Sequence, residues 1–234
     1  MSYTYDSFRA ALVVEMVTDA GDVNFVAILP TIIDYAEQRI YRELDLLSTV
    51  HRDGTGSLTP SDRNFTFPQH FVTSQQINVI TPAATAPESG TRNPLTPVTK
   101  EFLDNVWPSA SGAGIPTYFA MDTDQTIIVG PWPAAAYRVE VIGTVRPVPL
   151  SEANPTTFLS LYLPDLFLAA AMVAASGYMR NFGSQADDPK MAVSWESQYQ
   201  ALKASADVEN MRAKYAGPSW APMSPKPLAT PPQG

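Results

Sequence analysis

The chain has 234 residues, of which 45% are hydrophobic and only 16% charged, with a net charge of −8 and an isoelectric point near 4.7. That apolar content supports a sizeable core. The acidic balance, with no run of Lys or Arg, argues against tight binding of DNA or RNA, which needs a basic footprint; an acidic surface suits a conduit for DNA better than a binder. The absence of cysteine excludes disulfides, cysteine-zinc sites and thiol nucleophiles.

The N-terminus, with Asp6 and Glu15 and no basic region ahead of its apolar residues, does not read as a signal peptide. Phe8, Leu12 and Met16 repeat at helical spacing, and Gly21-Asp22 ends that helix. A second helix is expected to follow Pro30, placed in its first turn. Ile33, Ala36, Ile40, Leu44 and Leu47 form its apolar stripe.

From Ser48 to Leu150 the rhythm becomes that of short strands. Asn64–Phe67 and Phe71–Ile80 read as strands, with Ile77 and Val79 on one face. Residues 81–97, rich in Pro, Thr and Ala, read as a loop, and 98–106 as a short helix capped by Thr99. Tyr118–Met121, Thr126–Val129 and Tyr137–Val145 read as one antiparallel group, its first two strands joined at Asp122-Thr123-Asp124.

Helices return after Ser151. A short one spans Thr156–Leu163. Pro164 starts a longer one, to about Asn181, that carries Phe167, Ala170, Ala171, Ala174 and Tyr178; its apolar run is too short to cross a bilayer. Asp187-Asp188-Pro189 starts a last helix, to about Tyr215, whose stripe is Val193, Tyr199, Leu202 and Ala206. Gly217-Pro218 ends it. The fold class is therefore α+β. Residues 1–50 and 151–216 form one helical bundle, 51–150 a β-rich insertion, and 217–234 an extended, proline-rich C-terminal arm.

That arm holds six prolines and cannot enter a helix or a central strand. At roughly 3.1 Å per residue it reaches about 55 Å, against a radius of gyration near ~17 Å for the rest of the chain. Its candidate contact residues are Pro218, Trp220, Pro222, Met223, Lys226 and Leu228. Trp220 has no core of its own to enter, which suits an anchor on a partner. Trp132, between Pro131 and Pro133, is either a loop plug or an interface anchor, and Trp195 is a core residue.

Nothing in the chain assembles into a convincing catalytic or metal site. His51 and His70 have no ligand spacing and read as surface or satisfied loop histidines. No Gly-x-Ser-x-Gly elbow supports a triad. Asp53-Gly54-Thr55-Gly56-Ser57 lacks the P-loop lysine, and Gly112-Ala113-Gly114 has no following helix. Both read as turns, and no cofactor is expected.

Six motifs, in order, resemble the head-to-tail adaptor (connector) family of short-tailed and related phages. They are Pro30-x-x-Ile33-x-x-x-Ala36-Glu37-x-Arg39-Ile40-x-Arg42-Glu43-Leu44; Phe67-Pro68-x-x-Phe71, with Phe where the family has Leu; Gly114-Ile115-Pro116-Thr117-Tyr118; Gly130-Pro131-Trp132-Pro133; Tyr162-Leu163-Pro164-Asp165-Leu166; and Trp195-x-x-x-Tyr199-x-x-Leu202. The resemblance covers most of residues 1–210. The 81–97 segment and the long arm are less familiar. It implies a structural virion protein without catalytic residues, located in the neck and present in the host cytoplasm during assembly. It further implies a homo-oligomeric ring of about twelve copies that docks under the portal protein. Such a ring extends the DNA channel without specific DNA binding or membrane contact, and gives a downstream nozzle or tail-tube protein its platform. Docking of 217–234 on the portal is the corresponding expectation for the arm. An arm disordered when free loses entropy on docking, so each copy adds little affinity and the ring gains by avidity. The free protein is then expected to be largely monomeric. The alternatives are a tail or fibre component that binds a host-surface glycan, and a virion-associated hydrolase.

Overall fold

The computed structural model describes residues 2–19, 21–179 and 189–215. In chain order its elements are α1 (Tyr5–Glu15), α2 (Val23–Glu43), β1 (Val50–Asp53), β2 (Asn64–Thr66), β3 (Phe71–Thr81), β4 (Thr91–Pro94), β5 (Thr96–Pro97), α3 (Lys100–Val106), β6 (Tyr118–Met121), β7 (Thr126–Gly130), β8 (Arg138–Val145), α4 (Phe158–Tyr162), α5 (Pro164–Met179) and α6 (Pro189–Tyr215). The fold is α+β. It divides into a helical unit, Met1–Leu47 with Pro147–Gly234, and a β unit, Ser48–Arg146.

In the helical unit, Thr4 and Ser7 form a capping box that starts α1, and Phe8, Leu12 and Met16 bury its inner stripe. Helix α2 begins earlier than the sequence suggests. Asp22 caps it by accepting from the N–H groups of Asn24 and Phe25 at 2.9 and 3.3 Å, and Pro30 lies inside it. A proline there removes one backbone bond, but Phe25 and Leu29 extend the buried stripe by two turns and hold the added segment. The stripe also ends sooner than expected. The backbone turns extended at Leu44, so Leu46 is buried and Leu47 is exposed. Thr157 and Ser160 cap α4 in the same reciprocal way as α1. Phe167, Ala170 and Ala171 of α5 are fully buried, Phe167 stacking on Phe8 at 4.3 Å between ring centroids. Tyr199 and Ala206 bring α6 into this core, with Trp195 and Leu202 packed at its margin. Val193, expected in that stripe, is exposed. The expected end of α5 at Asn181, the Tyr178 side chain and the Asp187-Asp188 pair lie outside the described residues; Pro189 is the first residue of α6.

The β unit is two four-stranded sheets, ordered β1-β8-β3-β4 and β2-β7-β6-β5. Their inner faces share one core. Ile77, Val79, Val139 and Val141 come from the first sheet, Phe65, Ile127 and Val129 from the second, with Leu58, Leu95 and Tyr137 closing it. Helix α3, capped by Thr99, covers the second sheet's other face through Leu103 against Ala120 and Ile128. Strand β7 is therefore buried on both sides and does not alternate. Gly143 sits opposite an irregular stretch of β3, where a Cβ would lie 2.1 Å from the Thr73 carbonyl oxygen.

Three expectations are corrected in this unit. Residues 81–97 do not simply loop out: β4 pairs with the end of β3, supported by Asn93 Nδ2 donating to the Val79 carbonyl and Thr81 Oγ1, and β5 pairs in parallel with β6. Strand β8 does not join β6 and β7; it is central in the other sheet, between β1 and β3. His51 is in a strand, on β1, rather than a turn.

Candidate interaction surfaces

The described titratable groups with displaced ionisation form three clusters, apart from Lys100, which its bond to Asp122 raises. In the first, Glu37 of α2 is buried; Oε2 accepts from the Leu150 N–H at 3.0 Å and Oε1 from the Thr157 hydroxyl at 3.2 Å. Burial pushes its carboxyl up to about 7 against the pull of those two bonds, and the nearby Asp34 charge adds to the rise.

The second cluster joins α2 to α6. Arg39 makes a bidentate contact with Glu196 at 2.8 and 2.6 Å, donates from Nε to Glu43 at 3.0 Å, and stacks over the Tyr199 ring at 4.1 Å. Glu43 also accepts from the Tyr199 hydroxyl at 3.0 Å and Lys203 at 2.8 Å. The hydrogen bonds from Arg39 and then Gln200 hold Glu196 down at about 2. Burial works to raise Glu43, but its bonds to Lys203, Arg39 and Tyr199 outweigh that and keep it low.

The third lies across the first sheet. Glu140 of β8 has a fully buried side chain; it accepts from Arg92 at 2.9 and 3.1 Å and from Asn78 at 2.9 Å, with Arg52 at 3.6 Å. Burial favours its neutral form, yet these donors and charges keep its carboxyl below the usual range. In all three clusters the hydrogen-bond partners are the chain's own groups.

Among the described residues no group of three or more His, Cys, Asp or Glu could hold a metal ion, and no helix is long and apolar enough to cross a membrane. His70 is exposed and His51 lies 6.5 Å from the Phe71 ring. Asp53 Oδ1 accepts from the Thr55 N–H and hydroxyl, and Gly56 leaves room for the Phe65 ring, so this glycine-rich segment is a packed turn. Asp122-Thr123-Asp124 is the β6–β7 hairpin, closed by the Asp122 N–H to the Thr126 carbonyl at 2.9 Å. Gly114 donates to the Trp132 carbonyl at 2.7 Å and accepts from the Ala134 N–H at 2.9 Å.

Trp132 is half-buried. Its Nε1 donates to the Trp107 carbonyl at 2.9 Å and the Arg63 guanidinium lies 5.4 Å from its ring. Pro218, Trp220, Pro222, Met223, Lys226 and Leu228 lie outside the described residues.

Two of the grooves among the described residues open on the helical unit. One, of about 640 Å³, is polar and includes Asp34, Gln38, Arg42 and Glu196. The other, of about 430 Å³, is apolar and lies between α2 and α5, lined by Ile28, Ile32, Tyr35, Val173 and Ala174. Exposed apolar side chains also gather where the sequence reading placed nothing: Val14, Val17 and Val23 about the α1–α2 turn, and Val208 and Met211 late in α6. The signal was present, because none of Val14, Val17 and Val23 falls on the Phe8-Leu12-Met16 stripe and apolar residues off the stripe face outward.

No curated protein matches the chain. The family description "SU10 adaptor protein" matches residues 3–223, which takes in all the described elements. The chain thus belongs to the SU10 adaptor protein family, structural adaptors of phage virions.

Proposed function

We propose that the protein is the head-to-tail adaptor of the virion neck. It forms a ring of about twelve copies under the portal, lengthens the DNA channel and gives the tail protein below it a platform to attach to. The observation that carries this reading is the family match over residues 3–223. The chemistry of the chain supports it. The displaced carboxylates are all spent on intramolecular bonds, and a net charge of −8 suits a wall past which DNA slides. No catalytic step is assigned. The C-terminal arm, through Trp220, Met223 and Leu228 with Lys226 and the prolines 218 and 222, docks on the portal, and Trp132 stiffens a loop within reach of a partner.

Deletion of 217–234 tests the arm. The truncated protein should keep its thermal unfolding midpoint and its circular dichroism spectrum and fail to join portal-bearing heads. Normal attachment by the truncated protein would overturn the arm's role.

A further inference from the structure

Among the described residues of the helical unit, exposed apolar side chains include, besides Phe158, Leu161 and Tyr162 of α4, two groups that lie far apart. At the α1–α2 turn, Val14, Val17 and Val23 are 73%, 90% and 78% exposed. Val17 stands there at φ 53°, a left-handed backbone that a β-branched residue rarely adopts and that Gly or Asn would suit better. Glu15 and Asp19 are exposed beside these valines, and no Lys or Arg occurs between Arg9 and Arg39. The second place is the outer face of the last turns of α6. Val208 and Met211 are 50% and 47% exposed, and Arg212 is exposed one turn beyond Val208. Lys214 is already engaged by Asp45 of the same chain. From Asn210 onward the sequence has Arg212, Lys214 and Lys226 and no acid.

These two patches lie at opposite ends of α2. Helix α6 runs beside α2 in the same direction: Glu196 meets Arg39, Lys203 meets Glu43, and Asn210 meets Asp45 and Leu47. The end of α6 is therefore at the C-terminal end of α2, and the α1–α2 turn is at its N-terminal end. With 21 residues, α2 spans roughly 32 Å. One copy cannot bring its own two patches together.

We infer that the two patches meet between copies, head to tail, with the Val208–Met211–Arg212 face of one chain seated on the Val14–Val17–Val23 turn of the next. The contact sets apolar against apolar and Arg212 against Glu15 and Asp19, with the exposed Asp207 and Glu209 at the flanks of the α6 face. Two turns facing each other would instead set those acids against their own copies, which is repulsive. A contact between unlike patches leaves one of each open on every pair. It therefore repeats, and it closes into a ring where the rotation allows. The left-handed turn closes α1, the Val17 and Thr18 N–H groups donating to the Val14 and Val13 carbonyls at 3.1 and 3.2 Å, and the exposed valine it carries is then a contact for a second copy. The inference takes the ring from the function proposed above; the two surfaces come from the chain itself.

The lack of native cysteine makes the test clean. Three variants are made, Val17→Cys, Met211→Cys and the double variant, both positions being exposed. Each is cross-linked with a short bis-maleimide, as concentrated free protein and in assembled particles, and run on a denaturing gel. The inference predicts a ladder beyond the dimer for the double variant in at least one of the two settings, and no cross-link for either single variant in either. Arg212→Glu added to the double variant should weaken the ladder. A ladder absent from both settings, a double variant that stops at dimers, or a dimer from either single variant would overturn the head-to-tail contact. The adaptor reading would survive each of those results, since it falls only with the location of the wild-type protein in the particle.

Discussion

The Leu150 backbone N–H points at Glu37, 113 positions earlier in the chain, and meets its carboxylate at 3.0 Å. The same side chain holds the hydroxyl of Thr157, the N-cap of α4. One buried acid on α2 thus fixes both the segment that returns to the helical unit and the start of the helix that follows.

That acid is a pH-sensitive element near neutrality. Its folded carboxyl lies at about 7, raised from 4.5, so folding favours the protonated form. The associated stability is full below 4.5 and is lost as pH rises through about 7. The loss approaches about 3 kcal/mol. Glu43, Glu140 and Glu196 are shifted the other way, and their contributions fall away only in acid. Urea unfolding of the wild type should show stability declining between pH 5 and 8. Glu37→Gln, whose amide still bridges Leu150 and Thr157, should remove most of that decline. An unchanged slope would contradict the assignment.

Arg39 should matter to stability more than a surface arginine does. It bonds two carboxylates and covers the Tyr199 ring, while Glu196 is partly open to solvent and its share is discounted accordingly. Arg39→Ala should cost about 2 kcal/mol. A double-mutant cycle with Glu196→Ala should give a coupling of about 1 kcal/mol that shrinks in high salt. Denaturant titration of the four proteins measures both.

In the β unit, Glu140 relies on Arg92 and Asn78 to stay ionised in a buried place. Its lowered carboxyl contributes stability above the unfolded value, and that contribution is lost as pH falls through the folded one. Arg92→Ala should make the β unit unfold at a higher pH on acidification. Tryptophan fluorescence across an acid titration reads this directly, through Trp107 and Trp132, which both lie in that unit.

Val17→Gly should separate stability from association. Relief of the left-handed valine should raise stability by about 1 kcal/mol, while loss of its side chain should weaken contact between copies. Urea unfolding and sedimentation of the concentrated protein, measured on the same preparation, should show higher stability and weaker association.

Much of the fold was legible locally. The stripe Phe8-Leu12-Met16, the cap Thr99 and the hairpin at Asp122-Thr123-Asp124 each depend on residues a few positions apart. What sequence reading missed depends on distant partners. Pro30 looks like a helix start until the cap at Asp22 and the burial of Phe25 are seen. Strand β4 has no apolar alternation and exists because β3 pairs with it. The assignment of β8 to one sheet or the other turned on pairing with Val50–Asp53, which carried turn formers at its end. The half-buried Trp132 is held by its Nε1 bond to the Trp107 carbonyl, 25 positions away, which its flanking prolines do not foretell. The bonds of Glu37 and Arg39 to residues more than a hundred positions away had no local trace.

The most direct test of the adaptor reading is cryo-electron microscopy of the particle neck combined with a copy count of this chain in tailed virions. The account predicts an axial ring of this protein between portal and tail, with both units of the fold placed in its density. Tailed, infectious virions without the protein, or with it only at fibre tips, would contradict the account.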